Sequence, residues 1–514
     1  MNNLNQTINP YLPSWEYVPD GEPYVFGDRV YVYGSHDKFG GDVYCMLDYV
    51  CYSAPVNDLG SWRYEGVIYR KDQDPANADL QGNLYAPSVT VGPDGRYYLY
   101  YVLSSWGVVS VAVCDEPSGK YEFLGYVHYK DGTYLGQKEG DEPQFDPAVL
   151  TEGDRTYLYT GFCAVGDKSR HGAMGTVLGP DMLTIVEGPV FVAPGEPYSH
   201  DTSFDGHAFF EGPSIRKKDG KYFFIYSTQL YHELGYAVSD DPLSGFEYKG
   251  VLISNGDLNI DSYKPADKPM FYCANNHGSM VKIENDWYIF YHRHTNGTNF
   301  SRQECFEKLI EKKDGTFMQA KMTSCCGLEP LVSKGTYPTY IACNLFTDTD
   351  CTYIPWSGWM DDRFPKITQD GGDKDGGARI VESDISGKDI EENRALDDHA
   401  EVQSDNLQII NTKDTRNEAN YGYIANMRDS ATAGFKYFDC KGVKKMSVCT
   451  KGYATGELEL HLKWDDKAIG SFPIGYANVW HETKADIEIP DGVHDLFFTF
   501  KGTGYLQFAA FSFI

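Results

Sequence analysis

The chain has 514 residues, of which 41% are hydrophobic and 15% aromatic, and its formal net charge is −29. That length and apolar content support two or three globular domains with large cores and exclude a disordered chain. The negative charge opposes binding to nucleic acid or an anionic membrane surface, because phosphates are repelled, and it suits a soluble protein with a neutral substrate.

The 40 Tyr suit a β-rich protein, since strands favour aromatic and β-branched residues, and flat rings also stack on the apolar faces of sugars. The 12 Cys form no CxxC pair and show no zinc-ligand spacing. The opening stretch MNNLNQTINPYLPSW has no basic segment followed by an apolar core, and no run of about 18 apolar residues occurs anywhere. Scattered thiols without a secretion signal lead us to expect a reducing, cytoplasmic location.

In chain order, the first elements form an internal repeat. Its copies are EPYVFGDRVYVYGSHD from Glu22, APSVTVGPDGRYYLYYV from Ala86, DPAVLTEGDRTYLYTG from Asp146, EGPSIRKKDGKYFFIYS from Glu211 and HGSMVKIENDWYIFYHR from His277. Each reads as a short strand, a tight turn of hairpin-forming residues, and an aromatic-rich strand. From Pro23 to Pro87, Pro147, Pro213 and Gly278 the successive spacings are 64, 60, 66 and 65 residues. A unit of that size holds four strands and their loops. Five such units closing in a ring predict a five-bladed β-propeller over residues 1–325.

The first strand of a blade lines the central channel, so the residue leading each repeat should face the axis. Those residues are Glu22, Ala86, Asp146, Glu211 and His277. Three carboxylic acids in one small volume raise at least one pKa. One carboxyl can then stay protonated as a general acid while another stays ionised as a general base, the division of labour that glycoside hydrolysis requires. Trp106, in a loop after the second repeat, and Tyr85, just before Ala86, are candidate sugar platforms.

After about residue 330 the repeat stops, and residues 326–345 read as a linker. Residues 369–399, rich in Gly and acids, read as a long surface loop. The short strands GFKYFDC, KKMSVCTKG, GELELHLKW, ETKADIEI and HDLFFTFKG, then YLQFAAFSFI, predict a β-sandwich of jelly-roll type over 346–514.

These segments resemble glycoside hydrolase family 43 over residues 9 to 325. NPYLPSWEYVPDGEPYVF is similar to the family's opening motif, FDPAVL to the segment with its acidic pKa modulator, and EGPSIRKKDGKYFFIYS to the segment with its general acid. NNHGSMVKI with WYIFYHR resembles the fifth-blade segment, and NFSRQECFEKL resembles the segment just after it. The resemblance implies that Glu211 protonates the leaving oxygen, that Asp146 orients it, and that a base activates water on the opposite face of the sugar, with inversion at a base–acid separation of about 6.5–9.5 Å. For the base, the counterpart of the family's usual Asp-Pro pair is Glu22-Pro23, with Asp20 two residues earlier. Counting back from Tyr31 by nine residues rather than eleven favours Glu22.

The resemblance also places His277 near an axial calcium ion held largely through water, with no organic cofactor. Arg302 becomes a donor to a sugar hydroxyl or an acid. Residues 345–514 resemble carbohydrate-binding modules of family 6, a domain that binds sugar or packs against the propeller, the second being favoured. The expected activity is removal of terminal arabinofuranose or xylose from plant cell-wall oligosaccharides. The alternatives are a non-catalytic sugar-binding propeller, against which Glu211 and Asp146 argue, and an endo-arabinanase, which calls for secretion. The sequence is silent on oligomeric state.

Overall fold

The computed structural model describes residues 6–260, 268–348, 354, 358–360, 364–370, 401–403 (backbone only) and 422–514. The surface loop expected over 369–399 lies outside the described residues from 371 onward. The described residues are almost entirely β-structure with three short 3-10 turns. No helix is long and apolar enough to cross a membrane.

Five antiparallel sheets follow one another along the first two-thirds of the chain. Blade I holds β1 (Glu22–Phe26), β2 (Arg29–Tyr33), β3 (Tyr49–Pro55) and β4 (Ser61–Tyr69). Blade II holds β5 (Ser88–Val91), β6 (Tyr97–Val102), β7 (Val109–Cys114) and β8 (Glu122–Tyr126). Blade III holds β9 (Ala148–Glu152), β10 (Arg155–Thr160), β11 (Gly172–Leu178) and β12 (Ile185–Pro194). Blade IV holds β13 (Phe209–Lys218), β14 (Lys221–Thr228), β15 (Leu234–Ser239) and β16 (Glu247–Ile253). Blade V has three strands, β17 (Met280–Ile283), β18 (Asp286–His294) and β19 (Arg302–Leu309).

The alternating aromatic pattern of the repeats has a direct packing cause. Successive side chains of a strand point to opposite faces, and each face of a blade meets a different neighbour. On β6, Leu99 and Tyr101 pack toward blade I, whereas Tyr98 and Tyr100 pack toward blade III. The same arrangement gives apolar seams between III and IV, between IV and V, and between V and I. The ring closes where β1 lies beside β17. There the N-terminal segment adds a clamp: Asn9 donates to the Phe306 carbonyl at 2.9 Å and accepts from the Phe306 N–H at 3.1 Å.

The second domain is one ten-stranded curled sheet. Its strands, in chain order, begin with β20 (Leu331–Val332), β21 (Gly335–Pro338), β22 (Asn344–Phe346) and β23 (Lys366–Thr368). A further strand, β24 (Glu401–Gln403), pairs instead with β4 at the outer edge of blade I. The curled sheet continues with β25 (Tyr423–Met427), β26 (Thr432–Cys440), β27 (Lys445–His461), β28 (Gly470–Ile474), β29 (Ala477–Asp486) and β30 (Gly492–Phe513). The stretch read as a linker therefore already carries β20 and β21, which pair with β26 and β30. Inside the curl, the Phe511 ring lies 4.9 Å from Phe435 and 5.1 Å from Phe498.

This core is continuous with that between blades IV and V, so the two domains share one hydrophobic interior. Buried polar links cross the seam. The Lys436 ammonium meets Asp257 at 2.7 Å with both side chains fully buried, and Asn344 donates to the same carboxylate at 3.0 Å. Arg293 of β18 donates to the carbonyls of Ala342, at 2.7 Å, and Tyr340.

Candidate active site

Three acids meet at one end of the channel, and each sits where an inner strand begins. Asp146 lies two residues before β9, and Asp20 lies two residues before β1. Both have positive φ, 33° and 62°, which aims the side chain out of the strand line. Glu211 lies within β13, where the register with β14 shifts on either side of it. Such an irregularity re-aims a side chain away from the regular alternation.

Glu22 also faces the channel, but as the first residue of β1 it is the counterpart of Ala148 rather than of Asp146. Its carboxylate accepts from Arg216 of blade IV at 2.6 Å and from Tyr24 at 3.2 Å, and it is 1% exposed. Glu22 is thus held in an ion pair across the axis, whereas Asp20 stands with Asp146 and Glu211.

The electrostatics divide the acids. Asp20 accepts two contacts from one Arg302 nitrogen, at 2.9 and 3.1 Å. Burial alone would raise its pKa, but the Arg302 charge holds it well below the ordinary carboxylate range. Glu211 has no cationic partner among the described residues. Burial and the negative charge of Asp20 push it up to about 8, against a smaller opposing pull from Arg302. Asp146 is pushed up as well, by burial and by the charges of Glu211 and Asp20, and it accepts a hydrogen bond from the Gly212 N–H. Near neutral pH the site therefore holds an ionised Asp20 together with a protonated Glu211.

Arg302 is itself oriented by a residue that sequence reasoning missed. Asp37 accepts from its Nε at 2.8 Å and its Nη2 at 2.9 Å, leaving Nη1 for Asp20. Asp37 is more than 260 residues away in the chain, and only its place just after an aromatic strand, in GSHD, marks it.

His277 is buried beside Asp146, with its Nδ1 3.8 Å from Oδ2, and both ring nitrogens lack a hydrogen-bond partner. Desolvation lowers its pKa, so the ring is neutral. Among the described residues no group of three His, Cys, Asp or Glu side chains converges as a ligand set. Calcium takes six to eight oxygen ligands. One imidazole beside one carboxylate does not build such a cage from the protein.

Two rows of aromatic rings run beside the site. Tyr85, whose hydroxyl feels the charges of Asp146 and Glu211, packs edge-on against Phe145 at 5.5 Å. Phe145, Phe162 and Phe210 continue that row at 5.2 Å intervals. In a second row, Tyr44 lies under Arg302 and touches Phe300, which meets Trp359 at 6.2 Å. Trp106 instead wedges between Tyr126 and Tyr134, at 4.7 and 5.6 Å, as packing within blade II.

A family model described as glycosyl hydrolases family 43 matches residues 18–317, more than half of the chain. The chain belongs to glycoside hydrolase family 43. It is 57% identical over 509 residues to a xylosidase/arabinosidase of Thermoclostridium stercorarium, covering 99% of this chain and 98% of that one. It is 24% identical to an arabinoxylan arabinofuranohydrolase of Paenibacillus polymyxa, over 95% of this chain and 70% of the relative. The crystal structure of a family 43 arabinoxylan arabinofuranohydrolase from Bacillus subtilis, in complex with cellotetraose, matches 99% of this chain and 98% of that one with a TM-score of 0.50 and 19% identity, a likeness of fold. This family 43 chain is a glycosidase, and its propeller carries the acid cluster.

Proposed function

We propose that the enzyme removes terminal α-L-arabinofuranose or β-D-xylose from plant cell-wall oligosaccharides in one inverting step. Glu211 gives its proton to the glycosidic oxygen. Asp20, not Glu22, takes a proton from the attacking water on the opposite face of the sugar. Burial and the charge of Asp20 keep Glu211 protonated, and Asp146, beside them, helps to orient it. The observation that carries the reading is the split pair: one acid held ionised by Arg302, and beside it one held protonated up to about 8. The sugar class is supported by the Thermoclostridium stercorarium relative, which matches the chain from end to end.

The two aromatic rows supply flat surfaces for the sugar and its leaving group. A calcium ion at the axis would be held through water beside His277. The curled C-terminal sheet supports the propeller through the shared core. Eleven cysteines among the described residues are free thiols, which supports a cytoplasmic site of action on short oligosaccharides.

The test is turnover of nitrophenyl arabinofuranoside and nitrophenyl xyloside by the wild type, Asp20→Asn, Glu22→Gln and Glu211→Gln, with proton NMR of the first sugar released. Loss of turnover in the Asp20 and Glu211 variants, with an inverted anomer from the wild type, is expected. A retained anomer, or an inactive Glu22→Gln beside an active Asp20→Asn, would refute the assignment.

A further inference from the structure

Strand β19 approaches the Asp20 loop at two points. Arg302 and Glu304 are two residues apart, so their side chains leave the same face of the strand. Arg302 takes the Asp20 carboxylate. Glu304 takes the backbone one residue later: its Oε1 accepts the Gly21 N–H at 2.9 Å, while its Oε2 accepts the Tyr11 hydroxyl at 3.3 Å. The approach is close enough that a Cβ on Gly21 would come within 2.7–2.8 Å of the Glu304 carboxyl. On the other side of the same turn, the Asp20 N–H donates to His292 Nδ1 at 3.3 Å, and His292 Nε2 donates to the Asn275 carbonyl at 2.8 Å.

Glu304 is 1% exposed and no cation pairs with it among the described residues. A buried carboxyl without a counter-charge is costly, and a core strand has no packing need for one. What it supplies is an acceptor aimed at a peptide whose residue Asp20 is in the left-handed region. Without that acceptor the Gly21 N–H would be buried and unsatisfied, and the turn would relax toward a conformation in which Asp20 no longer points at the axis.

We infer that Glu304 is a positioning residue: it clamps the Asp20–Gly21 peptide so that the Asp20 carboxylate is aimed at the attacking water. Its acceptor oxygen, not its charge, performs this role. Burial and the charge of Asp20 push the Glu304 carboxyl well above its ordinary range, in keeping with a neutral acid that still accepts through its carbonyl oxygen. The inference rests on Asp20 being the base.

The experiment compares Glu304→Gln, Glu304→Leu and Tyr11→Phe with wild type and Asp20→Asn, measuring kcat and KM on nitrophenyl arabinofuranoside. The glutamine keeps the acceptor and discards the ionisable group, so its kcat is expected within about threefold of wild type. The leucine removes the acceptor, and kcat is expected to fall on the order of 100-fold with KM nearly unchanged, since a small misplacement of a reacting group has that effect. Tyr11→Phe loosens Glu304 and should lower kcat by about two- to tenfold. A leucine variant with wild-type kcat, a loss confined to KM, or a glutamine variant as impaired as leucine would overturn the clamp. If the leucine variant does not fold, the other two decide: an impaired Glu304→Gln or a Tyr11→Phe with unchanged kcat overturns it. An active Asp20→Asn would instead defeat the base assignment beneath it.

Discussion

Charge is buried in two places in this molecule, and the two are handled in opposite ways. At the seam between the domains, Lys436 meets Asp257, and Arg293 donates to two backbone carbonyls and to the Gln303 side chain. At the channel mouth, three carboxyls share one Arg302, which Asp37 already holds, and among the described residues no cation pairs with Glu211. Matched charge in the interior fixes an arrangement of elements. Mismatched charge stores a displaced proton, and a displaced proton is what general acid catalysis uses. The comparison predicts that variants at the mouth change rate while variants at the seam change stability.

The largest effect is expected at the mouth. Glu211→Gln and Asp20→Asn should each lower kcat by about 10²–10⁴-fold while leaving the unfolding midpoint close to wild type. For Glu211→Gln the loss should be smaller on a nitrophenyl glycoside than on an unactivated oligosaccharide, because nitrophenolate leaves without protonation. Equal losses on both substrates would remove Glu211 from the role of acid. At the seam, Lys436→Met leaves Asp257 buried without its cation, which costs about 3–5 kcal/mol in such settings. Denaturant unfolding should register that loss, with kcat unchanged in the protein that remains folded. A fall in kcat with full stability would break the contrast.

A subtler effect concerns pH. Asp20 acts ionised, so activity is present above its pKa and is lost as pH falls through it. Glu211 acts protonated, so activity is lost as pH rises through about 8. Arg302 lowers both groups. Arg302→Lys keeps one charge but loses the planar fork that serves Asp37 and Asp20 together. Both limbs of the kcat/KM profile should then move to higher pH, the acidic limb more, because Arg302 touches Asp20 directly. An acidic limb that stays in place would show that Arg302 does not set the base.

The contrast also explains which features the sequence disclosed. The blades were legible because each hairpin repeats its turn chemistry, as at Asp219–Gly220 with φ of 51° and 79°, and because alternating aromatics serve two neighbours at once. Asp146 and Glu211 carried local motifs. The base was obscured by the count. Asp146 lies eleven residues before Tyr157, across a two-residue hairpin as short as the Gly27–Asp28 turn of blade I, and eleven before Tyr31 is Asp20, whereas a count of nine lands on Glu22. The Glu-Pro pair after Gly21 reinforced that choice. Asp37 and Glu304 were not legible, because their partners lie 265 and 283 residues away. In the second domain, KKMSVCTKG and GELELHLKW, read as separate strands, run together in β27, and HDLFFTFKG and YLQFAAFSFI run together in β30. Gly456 and Gly504 instead sit inside β27 and β30, where a Cβ would meet the facing backbone at 2.1 and 1.7 Å. There glycine marks close strand approach in two long curled strands rather than a chain reversal.

The smallest expected effect tests the boundary between the two regions. Trp359 follows the propeller in sequence, yet its segment is stapled back onto blade V: Met360 N–H donates to Gly297 at 2.7 Å, and Thr298 donates to the Gly358 carbonyl at 2.7 Å. Trp359 is 42% exposed and extends the row that begins at Tyr44, beside Arg302. A ring so placed is too far out along that row to affect the bond being cut, but it can stack on a sugar beyond it. Trp359→Ala should therefore raise KM for a xylo-oligosaccharide by about 3–10-fold, in keeping with about 1 kcal/mol for an aromatic contact. The kcat, and both constants for a small nitrophenyl pentoside, should stay as they are. A change in kcat would place Trp359 with the acids, and no change in any constant would confine it to the seam. Only the intermediate outcome fits a ring that meets the substrate without meeting the reaction.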